Sequence, residues 1–383
     1  MEQSRGLAAR VFAEVVVASI GIALLACALA ADRRWLDRHF LPFFFAPRTV
    51  YVRGALLARI LAAVLGVTLA FVARRPIGRF AARTPPGTLV ADMARVALAV
   101  VLALGVSELV LRHTEFGLAA QEMPTTEEPS RRRDQRLGWV FVPSRTGRDT
   151  VAGRSVEYAF DPAGYRVRRA DQPVDPDRPT IIFTGESVMV GQGLTWDETV
   201  PAQVEALLGI QSANLAVHGY ATDQAYLRLL AELPRFRRPL AVVSLFTPGL
   251  FDRNLDEDRP HLGPGLIWLP AKHRSSLGEL TRWLVPYRSD ETIERGVAMT
   301  RAVLRATVDL ARSRAATPLF VVPEFAPEEP TERVLRHRIL DETGLPYVRI
   351  ELDPTWRLPG DRHPDARAAR AIAIAVAARL RAR

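Results

Sequence analysis

Apolar positions are distributed along this chain in two different ways. Over residues 1–112 they form three long runs between arginine-rich stretches. Val11–Ala31 holds Glu14 as its only charge, the run over 55–73 is interrupted only by Arg59, and Leu89–Leu111 carries Asp92, Arg95 and Glu108 towards its ends. A helix needs about 20 apolar residues to cross a hydrocarbon core of about 30 Å, so the pattern predicts three transmembrane helices. Arg59 lies inside its run, and Asp92 in the next run is its candidate partner.

Further on, the apolar runs shorten and begin to alternate with helical periods. Residues 113–136 are polar, include Arg131-Arg132-Arg133, and read as a linker. Gly138–Pro143 and Val156–Phe160 read as short strands of a β lead-in over 137–178, with a turn at Asp161–Gly164. From Pro179 the predicted strands are Thr180–Thr184, Ala213–Val217, Ala241–Phe246, Pro318–Val322 and Tyr347–Ile350. The predicted helices between and after them are Thr199–Leu208, Ala221–Leu233, Glu294–Ala315, Thr331–Thr343 and Asp365–Arg383; Pro234 stops the second. Nearly continuous apolar strands alternating with helices imply a parallel sheet covered on both faces. The expected fold class is therefore α/β over 137–383, preceded by a membrane region over 1–112.

Charge sharpens this division. The net charge of +9 suggests nucleic acid, yet residues 1–112 hold fourteen arginines against six acidic residues, and the rest of the chain is nearly neutral. The excess thus flanks the apolar runs, as in membrane proteins, and does not form a phosphate-tracking patch. No nucleic-acid partner is expected. Arginines are balanced between the two sides of the three runs. Three crossings from a cytoplasmic N-terminus would place the second domain outside the cytoplasm, in a multi-pass protein of the cell membrane. Cys27 is the single cysteine, so no intrachain disulfide forms.

The chemistry is concentrated in two short stretches. Thr184-Gly185-Glu186-Ser187 follows a predicted strand, and Asp361-Arg362-His363-Pro364 lies near the C-terminal end. A serine at a strand end, with an Asp-x-His pair at another, supplies attacker, base and orienter for acyl transfer. Ligands of such sheets gather at the carboxyl ends of the strands, where Ser187, Gly219 and the 361–363 loop all fall. The order Ser…Asp…His, the strand-end Gly185-Glu186-Ser187 and the block Asn214–Gly219 resemble the SGNH (GDSL-type) hydrolase superfamily, over about residues 135–383. That resemblance implies a three-layer flavodoxin-like domain with Ser187 as nucleophile, His363 as base and Asp361 as its orienting acid. It also implies an oxyanion hole with the backbone N–H groups of Gly219 and Ser187. The family's third block places an Asn after the middle strand. Leu250 stands in that place here, and Asn254 is the candidate substitute.

Other groups are set against these. His218, His261, His273 and His337 are the alternative bases, with His218 nearest the glycine block. Gly191-Gln192-Gly193 lacks the ending of a phosphate loop, and no spacing suggests a metal, so neither cofactor nor metal is expected. The resemblance implies a membrane-anchored serine esterase or O-acyltransferase, whose partner is an ester-bearing glycan, lipid or small molecule. Glu186 in place of Asp, and Leu250, support the rival expectation of a catalytically degenerate domain that binds a glycan or an envelope protein.

Overall fold

The computed structural model describes residues 2–40, 48–113, 131–272, 275–285 and 287–382. The chain divides into two compact units, with residues 275–288 belonging to the first despite their place in the sequence.

The first unit is helical. Its long helices are Glu2–Ala30, then Arg48–Val67 continuing through a π-helical turn at Thr68–Ala73 into Arg74–Arg83, and Pro86–His113. Within them Gly6–Ala30, Val52–Arg83 and Val90–Arg112 are long and apolar enough to cross a membrane. The first two pack backbone to backbone. A Cβ on Gly21 would lie 2.6 Å from the Ala70 nitrogen, and one on Gly66 2.8 Å from the Gly21 carbonyl. Small residues permit this close approach of two backbones. The predicted Arg59–Asp92 pair does not form. Arg59 Nε donates to the Ala28 carbonyl at 2.9 Å, and Asp92 takes Arg95 at 2.7 Å on its own helix. Arg59 is thus held by the first helix and Asp92 by its own.

The short helix Ser276–Leu284 belongs to this unit and was not foreseen. Glu108 accepts from the Ser276 and Leu277 amides at 3.0 and 2.8 Å and from the Ser275 hydroxyl, satisfying donors that begin a helix. Trp35 stacks on Tyr287 at 5.5 Å, and His39 Nδ1 donates to the Arg288 carbonyl.

The second unit is built on an eight-stranded sheet. Its strands are β3 (Thr146–Val151), β4 (Arg154–Phe160), β5 (Arg166–Val167), β6 (Pro179–Thr184), β7 (Gln211–Asn214), β8 (Arg238–Leu245), β11 (Thr317–Glu324) and β12 (Tyr347–Glu351). The order is β12-β11-β8-β6-β7-β5-β4-β3. The first five are mutually parallel, and β5, β4 and β3 extend them as an antiparallel edge. Two hairpins complete the strands, β1 (Arg131–Asp134) with β2 (Gly138–Phe141) and β9 (His261–Gly263) with β10 (Ile267–Leu269).

Alternation along β6 explains the layers. Ile181 and Phe183 join the core cluster that contains Val204, Ile372 and Val376, whereas Ile182 joins Leu229, Leu233 and Ala311. Successive side chains of a strand point to opposite faces. Helices Val200–Leu208 and Ala366–Arg381 therefore cover one face, with Thr222–Glu232 and Asp290–Ser313 on the other. The expected mixed α/β architecture with a mostly parallel central sheet is what the structure shows.

Several elements differ from expectation. Residues 114–130 of the expected linker lie outside the described residues, and Arg131–Asp134 within it forms a strand. β3 was missed because Thr-Gly-Arg-Asp-Thr-Val has no clear alternation of polarity. β7 ends at Asn214, three residues earlier than predicted. The Asn214 carbonyl oxygen of the side chain accepts from the Ala216 amide, and its Nδ2 donates to the Met189 carbonyl. Beyond Asn214 the Leu215 and Val217 amides still donate to the Phe183 and Gly185 carbonyls at 2.8 and 3.2 Å, so the chain stays alongside β6. Leu215–Val217 stay buried as a loop.

Candidate active site

The turn after β6 is dictated by backbone sterics. Gly185 takes φ +145° with the Leu245 Cβ only 3.1 Å from where its own Cβ would stand, so only glycine fits. Glu186 then caps a four-residue helix, Ser187–Val190, which ends on Gly191 in the left-handed region. Ser187 opens this helix and is 5% exposed. The sheet order reverses beside it, with β7 on one side of β6 and β8 on the other. In open parallel sheets this switch point forms the ligand crevice.

His363 arrives from the opposite end of the domain. Its loop leaves β12, closes through an Arg357–Pro364 bridge and the Leu358 amide on the His363 carbonyl, and enters helix Ala366–Arg381 through the Asp365 cap. His363 Nε2 stands 2.8 Å from Ser187 Oγ. Its Nδ1 pairs with Asp361 Oδ1, which also accepts the His363 amide at 3.2 Å. The two-residue spacing lets one carboxylate hold both the ring and the backbone of the histidine. Ser187, His363 and Asp361 thus form one continuous hydrogen-bonded chain.

Arg166, from the lead-in, fixes the other end of the nucleophile helix. It has no exposed surface, lies 4.2 Å above the Tyr158 ring, and donates to the carbonyls of Val190, Gly191 and Leu194. A cation at a helix C-terminus complements the dipole there. Burial pulls its pKa down to about 10, which leaves it charged at neutral pH. Tyr158 in turn accepts from the Gly193 amide at 2.8 Å. Sequence reasoning missed this support, because Arg166 is one of three arginines in Tyr165-Arg166-Val167-Arg168-Arg169 and nothing in the sequence singles it out.

The oxyanion candidates part ways. Gly219 has φ +75°, and the Trp139 ring lies 3.2 Å from its missing Cβ. Its carbonyl accepts from Arg253 Nη2 at 2.6 Å and Arg259 Nη1 at 2.8 Å. Asn254 is not available to Ser187. It is 2% exposed. Its Oδ1 accepts from the Asp223 amide at 3.0 Å and its Nδ2 donates to Thr300 Oγ1 at 2.9 Å and to Thr222 Oγ1 at 2.7 Å. The amide joins the start of one helix to the middle of another, which corrects the expectation of an oxyanion donor. Thr247, at the end of β8, keeps a buried hydroxyl without a hydrogen-bond partner.

The alternative bases are elsewhere. The ring nitrogens of His218 are buried without hydrogen-bond partners between Phe141 and Tyr158, and burial holds its pKa well below the usual range. His261 pairs with the Arg259 carbonyl, His337 with Asp341, and His273 lies outside the described residues. No cluster of metal-ligating side chains occurs among the described residues.

Fold and site together define an α/β protein with a Ser–His–Asp chain at the switch point of a parallel sheet. No family model and no curated protein matches the sequence. Solved structures do match, among them the aryl esterase of M. smegmatis, at 11% identity and a TM-score of 0.37, covering 53% of this chain and 99% of that one. A protein described as lipolytic and of the G-D-S-L family, from Desulfitobacterium hafniense, matches at 11% identity and a TM-score of 0.36, over 52% and 98% of the two chains. An acetyl xylan esterase from Butyrivibrio proteoclasticus matches at 11% identity and a TM-score of 0.35, over 55% and 65%.

Proposed function

We propose that the chain is a membrane-anchored serine esterase or O-acyltransferase of the SGNH type. The observation that carries the reading is the unbroken path from Asp361 through His363 to Ser187 Oγ, with Oγ 2.8 Å from Nε2. In the reaction, Ser187 Oγ attacks the ester carbon while its proton passes to His363 Nε2. Asp361 holds the ring by its Nδ1–H and balances the imidazolium that forms. The oxygen of the tetrahedral intermediate accepts from the amides of Ser187 and Gly219. Collapse expels the alcohol, which takes the proton from His363, and leaves an acyl-Ser187. Water or a second alcohol then reverses the sequence. Substrates of this type are esters on an envelope glycan, lipid or metabolite, reached from the extracytoplasmic side of the membrane.

The test is p-nitrophenyl acetate hydrolysis by the full-length chain in detergent micelles. Turnover that disappears in Ser187→Ala supports the reading, and turnover equal in both proteins refutes it. One observation favours a second reading, a degenerate domain that binds a glycan or an envelope protein without turnover. The Asn254 amide, expected to face the oxyanion, is spent on helix packing. Under that reading the folded wild-type chain hydrolyses no ester.

A further inference from the structure

Two acceptors converge on the one hydroxyl of Ser187. Glu186 Oε2 lies 2.5 Å from Oγ and His363 Nε2 lies 2.8 Å from it. A serine hydroxyl has a single proton to donate, an ionised carboxylate has none, and a neutral imidazole has one. The ring proton of His363 is committed to Asp361, because that carboxylate accepts only. With Glu186 ionised and His363 neutral, one of the two contacts would bring lone pairs together. Both contacts are satisfied only when the site holds one further proton. On His363, it lets Nε2 donate to Oγ while Oγ donates to Glu186. On Glu186, it lets the acid donate to Oγ while Oγ donates to His363.

We propose that Glu186 is a catalytic residue of this site, sharing the extra proton of the resting state with His363 and setting the pH at which Ser187 becomes a nucleophile. The proposal rests on the esterase reading above. Charged and titratable groups stand on both sides of this hydroxyl. On the carboxylate side stands Arg253, from the loop after β8, which interacts electrostatically with Glu186. On the ring side stand Asp361 and the buried His218, which is neutral and so adds no competing charge. With the proton on His363, the ring lies between Asp361 and the hydroxyl that Glu186 holds. In that state Ser187 is tied to Glu186, and His363 has no lone pair for the serine proton. Loss of one proton to solvent frees Nε2, Oγ turns its hydrogen to the ring, and the nucleophile is armed.

Neither variant holds a carboxylate against Oγ, since the Gln amide can donate to it and Ala leaves it free, so His363 takes the serine proton without first surrendering one of its own. An opposite charge at this range moves a titration by about 1–3 units. Glu186→Gln keeps an acceptor for the Val188 amide that Glu186 caps, and Glu186→Ala removes all polar function. The experiment is the rate of fluorophosphonate labelling of Ser187 in the full-length chain, followed from about pH 4.5 to 9 and scaled to each protein's own plateau.

The acid limb of both variants is expected about one unit below that of the wild type. At a pH one unit below the wild-type midpoint, their scaled rate is then about fivefold higher. Midpoints within about 0.2 unit of wild type, with Ser187 well labelled, overturn the role of Glu186 and leave the esterase reading standing. A wild-type chain that never labels overturns the esterase reading, and this proposal with it.

Discussion

Asn254 carries a free-looking amide on the loop after the central strand, and the fold spends it on packing. Its bonds to Thr222, Asp223 and Thr300 tie helix Thr222–Glu232 to helix Asp290–Ser313. Asn254→Ala should cost about 1–3 kcal/mol, because the Asp223 amide and the Thr300 hydroxyl would lose a buried partner. Denaturant midpoints should show that loss, while kcat per folded molecule stays near wild type. A selective fall in kcat with unchanged stability would restore the oxyanion role. Ser187, Asp361 and His363 were readable as residues because each motif is local, two or three positions long. The use of Asn254 was hidden because Thr300 lies 46 positions away, and the role of Arg166 because its three carbonyls lie on another element. Glu186 read only as a departure from Gly-Asp-Ser. Its reach to the neighbouring hydroxyl depends on the cap geometry of a four-residue helix.

At the scale of elements, the parallel strands were legible because strands buried on both faces are continuous apolar runs. The run Ala213–Val217 misled for the same reason. Its second half, Leu215–Val217, is buried without being strand, and hydrophobicity registers only the burial. β3 lies on the antiparallel edge, where one polar face blurs the pattern. The helix of Ser187 depends on its terminal glycine. Gly191 has φ +83°, and a Cβ there would meet Thr199 Cγ2 at 2.6 Å. Gly191→Ala should destabilise the domain by more than about 1 kcal/mol. It should also slow labelling of Ser187 in the folded fraction, since the Gly191 carbonyl is one of the bonds by which Arg166 holds this helix. A melting transition and a labelling rate equal to wild type would show that the turn adapts without cost.

For the whole molecule, three apolar runs were plain from length alone, and three helices of sufficient length and apolarity are present. Membership of residues 275–288 in the helical unit was not legible. It depends on Glu108 capping a helix 168 positions onward and on Trp35 meeting Tyr287. The proposed function places the Ser187 domain outside the cytoplasm, which a reporter fusion tests. Alkaline phosphatase fused after Arg383 should be active, and the same reporter fused after Thr84, between the second and third helices, should be silent. The reverse pattern would place the Ser187 domain in the cytoplasm and remove envelope esters from its reach.

The central claim is that Ser187, His363 and Asp361 act as one unit, and covalent labelling reads it most directly. The full-length chain should react with a fluorophosphonate at Ser187, located by mass spectrometry of its peptide, since such probes need an activated hydroxyl. Ser187→Ala should abolish the adduct, His363→Ala should nearly abolish it, and Asp361→Asn should slow it severely, with each variant retaining the wild-type melting transition. The double variant His363→Ala/Asp361→Asn should be no slower than His363→Ala alone, because groups acting as a unit are non-additive. Labelling of Ser187 that survives His363→Ala at the wild-type rate, in a protein that melts normally, would contradict the account.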